Sequence, residues 1–141
     1  MRKLHYILLI LSASTIGGVF AKKLVEYSDY GVTLEYHIWD TAGQERYRAS
    51  NSLYYKDACI ALLIYDITRK DTFQEIKQYW YQQVKENSPE NIQIIVCGNK
   101  SDLYEYEDVD SKEVDEFCKE KDVPSYIVSA KNGTGINVYH Y

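Results

Sequence analysis

Apolar residues in this chain occur as short unbroken runs and alternating stretches, with one longer segment repeating every three or four residues. Tyr6 to Leu11 and Cys59 to Tyr65 are continuous runs, the pattern of parallel strands buried on both faces, and Ile92 to Cys97, apolar but for Gln93, reads as another buried strand. Val19 to Tyr27 and Val32 to Trp39 flank the turn signal Asp29-Tyr30-Gly31 and predict a β-hairpin. In the second of these strands, Val32, Leu34, Tyr36 and Ile38 share one face, and Thr33, Glu35 and His37 share the other. Asp71 to Glu86 predicts a helix, because Phe73, Ile76, Trp80 and Val84 fall on one stripe. Ser88-Pro89 ends it.

Asp110 predicts the N-cap of a second helix, with Glu113 as its reciprocal capping partner and Val109 against Val114 as a staple. Val114, Phe117 and Cys118 then face a core. Pro124 interrupts, and Tyr126-Ile127-Val128 reads as a last strand. Strands alternating with helices predict an α/β fold with a mostly parallel sheet.

The length of 141 residues suits one domain. Its 45% hydrophobic and 26% charged residues are ordinary for a globular chain. The net charge of −5 argues against nonspecific nucleic-acid binding, which needs a basic surface. Cys59, Cys97 and Cys118 form neither a zinc pattern nor an even disulfide framework, so a reducing compartment is expected. His5, His37 and His140 are isolated and read as structural or exposed.

The N-terminus has two readings. Met1-Arg2-Lys3, the apolar run and Val19-Phe20-Ala21 imitate a signal peptide with its cleavage site. The run also suits a buried strand, which is the preferred reading, and it is too short to span a membrane as a helix.

Chemistry concentrates in three polar clusters, each placed just after a predicted strand. They are Asp40-Thr41-Ala42-Gly43-Gln44, Asn99-Lys100-Ser101-Asp102 and Ser129-Ala130-Lys131. Ligands of parallel α/β sheets bind at the carboxyl ends of strands, so the three converge on one edge. The Asp102 carboxylate can accept two hydrogen bonds, from the ring N–H and the exocyclic amine of guanine. Adenine offers no such pair, and a site built to pair with a group rejects an analogue lacking it. The Lys100 stem can pack along the base, and Asn99 can tie neighbouring loops together. The Ala130 N–H can reach the guanine carbonyl, with Ser129 and Lys131 as buttresses.

These clusters, with Trp39, Glu45 and Arg46, resemble the Ras-like small GTPases, and among them the Rab branch. Ser14-Thr15-Ile16-Gly17 with Tyr54-Tyr55 looks most like Rab proteins of the endosomal branch. The resemblance covers Ser14 to Asn137. It implies a P-loop-NTPase-like sheet with one antiparallel edge strand, GTP or GDP and Mg²⁺ as ligands, and effectors and regulators as partners. The residue matching Asp40 would hold Mg²⁺ through water, and the one matching Thr15 would bind Mg²⁺ and sense the γ-phosphate. The Gly43 N–H would meet the γ-phosphate, and Gln44 would orient the attacking water. Trp39 would face effectors. The implied location is cytoplasmic and peripheral to endomembranes.

The chain departs from the family in one decisive way. It contains no G-x-x-x-x-G-K-[ST]. The apolar run at Leu11 passes directly to the residue matching the switch threonine, so the phosphate loop and first helix, roughly 25 residues, have no counterpart. The final helix is expected to be cut short at Tyr141, with no cysteine for a prenyl anchor. The domain is therefore expected to be incomplete, with one sheet face largely bare. The first strand can still be central: Ser12 to Val19 reaches about 25 Å, against roughly 10 Å for two strand spacings. Impaired nucleotide chemistry is expected. The alternative is a non-catalytic pseudo-GTPase that binds partners through its retained switch surface.

Overall fold

A computed structural model of the protein describes residues 2–12, 19–42 and 55–136. Six strands form one sheet: β1 (Arg2–Ser12), β2 (Val19–Tyr27), β3 (Val32–Ala42), β4 (Ile60–Asp66), β5 (Gln93–Asn99) and β6 (Ser125–Ile127). Their order is β2-β3-β1-β4-β5-β6. Only the β2–β3 pair is antiparallel, at one edge, and the other four pairs are parallel. This is the mostly parallel α/β sheet that the alternation of strands and helices predicts.

The N-terminal apolar run lies at the centre of the sheet. β1 pairs with β3 from Arg2↔Val32 to Ser12↔Ala42, and with β4 from Leu8↔Ile60 to Ser12↔Ile64. The hairpin turn is tight because Gly31 adopts φ 60, a left-handed conformation that costs glycine little, and its N–H returns to Ser28 O at 3.1 Å. β2 has the predicted bounds. β3 runs three residues beyond Trp39, so Asp40 lies inside the strand and not just after it.

The predicted helix over 71–86 forms as α1 (Lys70–Glu75) and α2 (Tyr81–Asn87), joined by a π-helical turn at Ile76–Trp80. Its apolar stripe is buried as expected: Phe73, Ile76, Trp80 and Val84 are all at most 1% exposed. At roughly 1.5–3 kcal/mol for each buried large apolar side chain, this stripe is a main source of stability. Helix α3 (Ser111–Lys121) starts where Asp110 Oδ1 accepts the Lys112 N–H at 2.9 Å. Glu113 does not close a reciprocal capping box. Its carboxylate instead takes hydrogen bonds from Lys77 at 2.7 Å and Gln74 at 2.8 Å, tying α3 to the neighbouring helix.

The core lies between these helices and one face of the sheet. Phe73 packs 5.1 Å from Tyr65 of β4 and 5.9 Å from Phe117 of α3, ring centre to ring centre. Along β4 burial alternates: Ala61, Leu63 and Tyr65 are buried, while Ile60, Leu62 and Ile64 are only half-buried. The continuous apolar run therefore does not mean burial on both faces here. Among the described residues no helix covers the second face.

Candidate nucleotide site

The carboxyl ends of β3, β1, β4, β5 and β6 open on one edge. Asn99 is the last residue of β5, and Lys100 turns the chain sharply with φ 69 and ψ 35. A 3-10 segment, Ser101–Tyr106, follows and carries Asp102. Beyond β6, Val128 N–H donates to Gly98 O at 2.8 Å and Ser101 N–H donates to Val128 O at 3.0 Å. These backbone bonds draw the loops after β5 and β6 together, although their residues are far apart in sequence.

Side chains complete the junction. Ser129 is fully buried and its hydroxyl donates to Asp102 Oδ1 at 2.6 Å. Lys131 Nζ lies 3.7 Å from Asp102 Oδ2. Asn99 Oδ1 accepts the Ala130 N–H at 3.0 Å, so Asn99 ties the two loops together. That N–H would have to be shared or released to reach a guanine carbonyl. The Ser129 loop is itself closed, since Ser129 N–H donates to Thr134 O and Gly133 N–H to Ser129 O, each at 2.9 Å.

Asp102 titrates below the ordinary carboxylate range. The Ser129 hydroxyl is the main cause, opposed by partial burial and aided by its own backbone N–H and by Lys131. The carboxylate is thus an acceptor at neutral pH. It offers about four lone-pair sites, so Ser129 and Lys131 leave capacity for a base.

A further carboxylate, absent from the three sequence clusters, belongs here. Asp66 ends β4, and in the β4–β5 register it is the direct neighbour of Asn99. Its Oδ1 accepts from the Thr68 N–H at 2.9 Å and the Thr68 hydroxyl at 2.7 Å, and Lys100 Nζ lies 2.5 Å from its Oδ2. Burial pushes its pKa up, but Lys100 and Thr68 outweigh this and the net shift is downward. The sequence signal was present: a carboxylate stands directly after the apolar run of β4.

Asp40 lies elsewhere on the sheet. It pairs with Ile10 of β1 and Val19 of β2. Three strand spacings, about 15 Å, separate β3 from β5. Asp40 is therefore not part of the cluster formed by Asn99, Asp102 and Ser129. Thr15, Gly43 and Gln44 lie outside the described residues.

An apolar groove of 270 Å³ adjoins the cluster, lined by Leu62, Ile64, Cys97 and Val128, with Asn99 and Ala130 beside them. Two other hollows, of 330 and 340 Å³, sit at the opposite end of β5 around Gln93 and share no residue with the polar clusters. His37, read as isolated, is bonded through Nε2 to Glu35 Oε1 at 2.6 Å, and Glu35 is buried. Phe20 of β2 stacks on Trp39 with ring centres 4.4 Å apart, and Phe20 is 43% exposed.

Comparison with known proteins agrees with this geometry. The sequence profile of the Ras family matches residues 11–140. The Ras-related protein YPTC6 of Chlamydomonas reinhardtii is 41% identical over 125 residues, covering 89% of this chain and 56% of that protein. The Ras-related protein Rab-11A of Dictyostelium discoideum is 38% identical, with 89% and 57% covered. The Ras-related protein Rab-5B of Plasmodium falciparum is 40% identical over 122 residues, with 86% and 57% covered. The chain thus spans a little over half the length of these relatives. With a family profile over nearly its whole length and Rab-named relatives at this identity, the chain belongs to the Ras family of small GTPases and is of Rab type.

Proposed function

We propose that this chain binds guanine nucleotides at the β5–β6 edge and carries the base-reading half of a Rab-type switch in vesicle traffic. The observation that supports it is the braced Asp102. Its carboxylate is held by Ser129 at 2.6 Å, flanked by Lys131, and kept ionised. A fixed acceptor pair suits the two adjacent donors of guanine and leaves adenine unpaired.

The phosphate end is weaker. Mg²⁺ is bound by one or two carboxylates together with phosphate oxygens, and Asp40 is a donor of that type. With Thr15 it would hold the ion, which would neutralise phosphate charge. No glycine-rich loop with its lysine occurs in the 141 residues to cradle the β-phosphate. Base contacts alone contribute about 1 kcal/mol each, so binding at the micromolar level or weaker follows.

A second reading is favoured by the exposed Phe20 against Trp39. It is a partner-binding pseudo-GTPase that uses this aromatic surface for effectors. One titration separates the two: fluorescent GDP and GTP with Mg²⁺, competed by ATP. Displacement by GTP but not by ATP, lost in Asp102→Ala, supports the guanine reading. Equal competition by ATP, or no binding, leaves the partner-binding reading.

A further inference from the structure

Lys100 is restrained at both ends. Its backbone is left-handed, with φ 69, and its ammonium rests on Asp66 Oδ2. Asp66 is itself immobilised: its side chain is 11% exposed, Thr68 gives it two hydrogen bonds, and its N–H donates to Thr72 Oγ1 at 3.0 Å. The β4–β5 ladder places it level with Asn99, and Ile67 N–H donates to Asn99 O at 3.2 Å. A long flexible stem on a compact charge ordinarily samples many rotamers. Here the stem runs from the end of one strand to the end of the next.

We infer that Asp66 is a positioning residue for the base: by anchoring the Lys100 ammonium it lays the apolar Lys100 stem across the plane on which guanine stacks. This rests on the guanine reading above. The gain is preorganisation, because the base meets a stem already ordered and no rotamer freedom is lost on binding. The carboxylate also keeps the ammonium away from the Asp102 acceptors, leaving these to the base. Asp66 has no direct contact with the ligand, so its effect must pass through Lys100. A purely structural role, through Thr68 and the end of β4, would act whatever stands at position 100.

The test is a double-mutant cycle on the full chain with fluorescent GDP as probe. Asp66→Asn keeps the shape and an acceptor for Thr68 but loses the charge. Lys100→Met keeps an apolar stem and loses the ammonium. Asp66→Asn is expected to weaken binding by about tenfold in the native background and hardly at all beside Lys100→Met. Equal losses in both backgrounds overturn the inference and leave the guanine reading intact. No guanine-selective binding by the unaltered protein overturns both. A second measurement needs no variant: in the GDP complex, NMR contacts between the Lys100 methylenes and the purine ring proton are expected. Their absence also overturns the inference.

Discussion

The Ser129 hydroxyl donates to Asp102 Oδ1 at 2.6 Å, joining the loops after β5 and β6 through a residue with no exposed surface. Ser129 also accepts the Asn132 N–H at 3.3 Å, so one oxygen serves both loops. Ser129→Ala is expected to weaken guanine-nucleotide binding about threefold to tenfold, because Asp102 loses its main brace and the Asn132 N–H loses its acceptor. The carboxyl should titrate higher in this variant. The sign follows from the depressed folded-state pKa: the stabilisation is present above the unfolded value and is lost as pH falls through the folded one. Carboxyl-carbon NMR across acid pH, together with a GDP titration, checks both outcomes.

Gly98 has a steric reason to be glycine. A Cβ built there would stand 2.6 Å from the Tyr65 hydroxyl and 2.7 Å from Ile127 Cδ1. Ile127 is exposed and can yield, but Tyr65 is 3% exposed and packed on Phe73. Gly98→Ala is expected to destabilise the fold by about 1–3 kcal/mol. The same shift should reach Asn99, one residue on, and lower nucleotide affinity. Urea unfolding measures the first effect, and unchanged midpoints would contradict it.

How much of this was legible in the sequence can be judged residue by residue. The bounds of β2 and the stripe from Phe73 to Val84 follow from period and turn chemistry, which are local. The meeting of the loops carrying Asp102 and Ser129 was also legible, because parallel strands expose their carboxyl ends together. Side-chain partners were less so. Glu113 has a capping-box spacing, yet two donors on another helix, Gln74 and Lys77, claim its carboxylate. His37 has Glu35 two residues away on the same strand face and is hydrogen-bonded to it, a local pairing that separation from other histidines and cysteines does not reveal. Asp66 was missed because its partner, Lys100, is set by strand register and not by nearness in sequence. The π-helical turn leaves no mark in a three- and four-residue repeat, since one wider turn keeps Ile76 and Trp80 inside.

Trp80 allows a test of core packing against polar satisfaction. It is 1% exposed, and its indole N–H has no hydrogen-bond partner among the described residues. Trp80→Ala should cost about 3–5 kcal/mol, a large part of a domain's total stability. Trp80→Phe should cost much less than its lost volume suggests, because it also removes an unsatisfied buried donor. Thermal unfolding of the two variants ranks them, and equal losses would contradict this account.

Hydrolysis is where the phosphate end is tested. Catalysis of phosphoryl transfer comes almost entirely from positioning and electrostatic stabilisation. Gln44, the residue matching the water-orienting glutamine of the family, can act only on a phosphate already held. Asp40, inside β3, would provide at most one carboxylate for Mg²⁺ under the proposed reading. The proposed base cluster would meet guanine and not the γ-phosphate, and the sequence holds no G-x-x-x-x-G-K-[ST] to supply backbone donors and a lysine. Single-turnover hydrolysis of GTP by the 141-residue chain is therefore expected to be close to the rate in buffer, and insensitive to Gln44→Leu. Nanomolar GTP binding with turnover lost in Gln44→Leu would overturn the prediction. It would show that another segment of the chain takes the place of the phosphate loop.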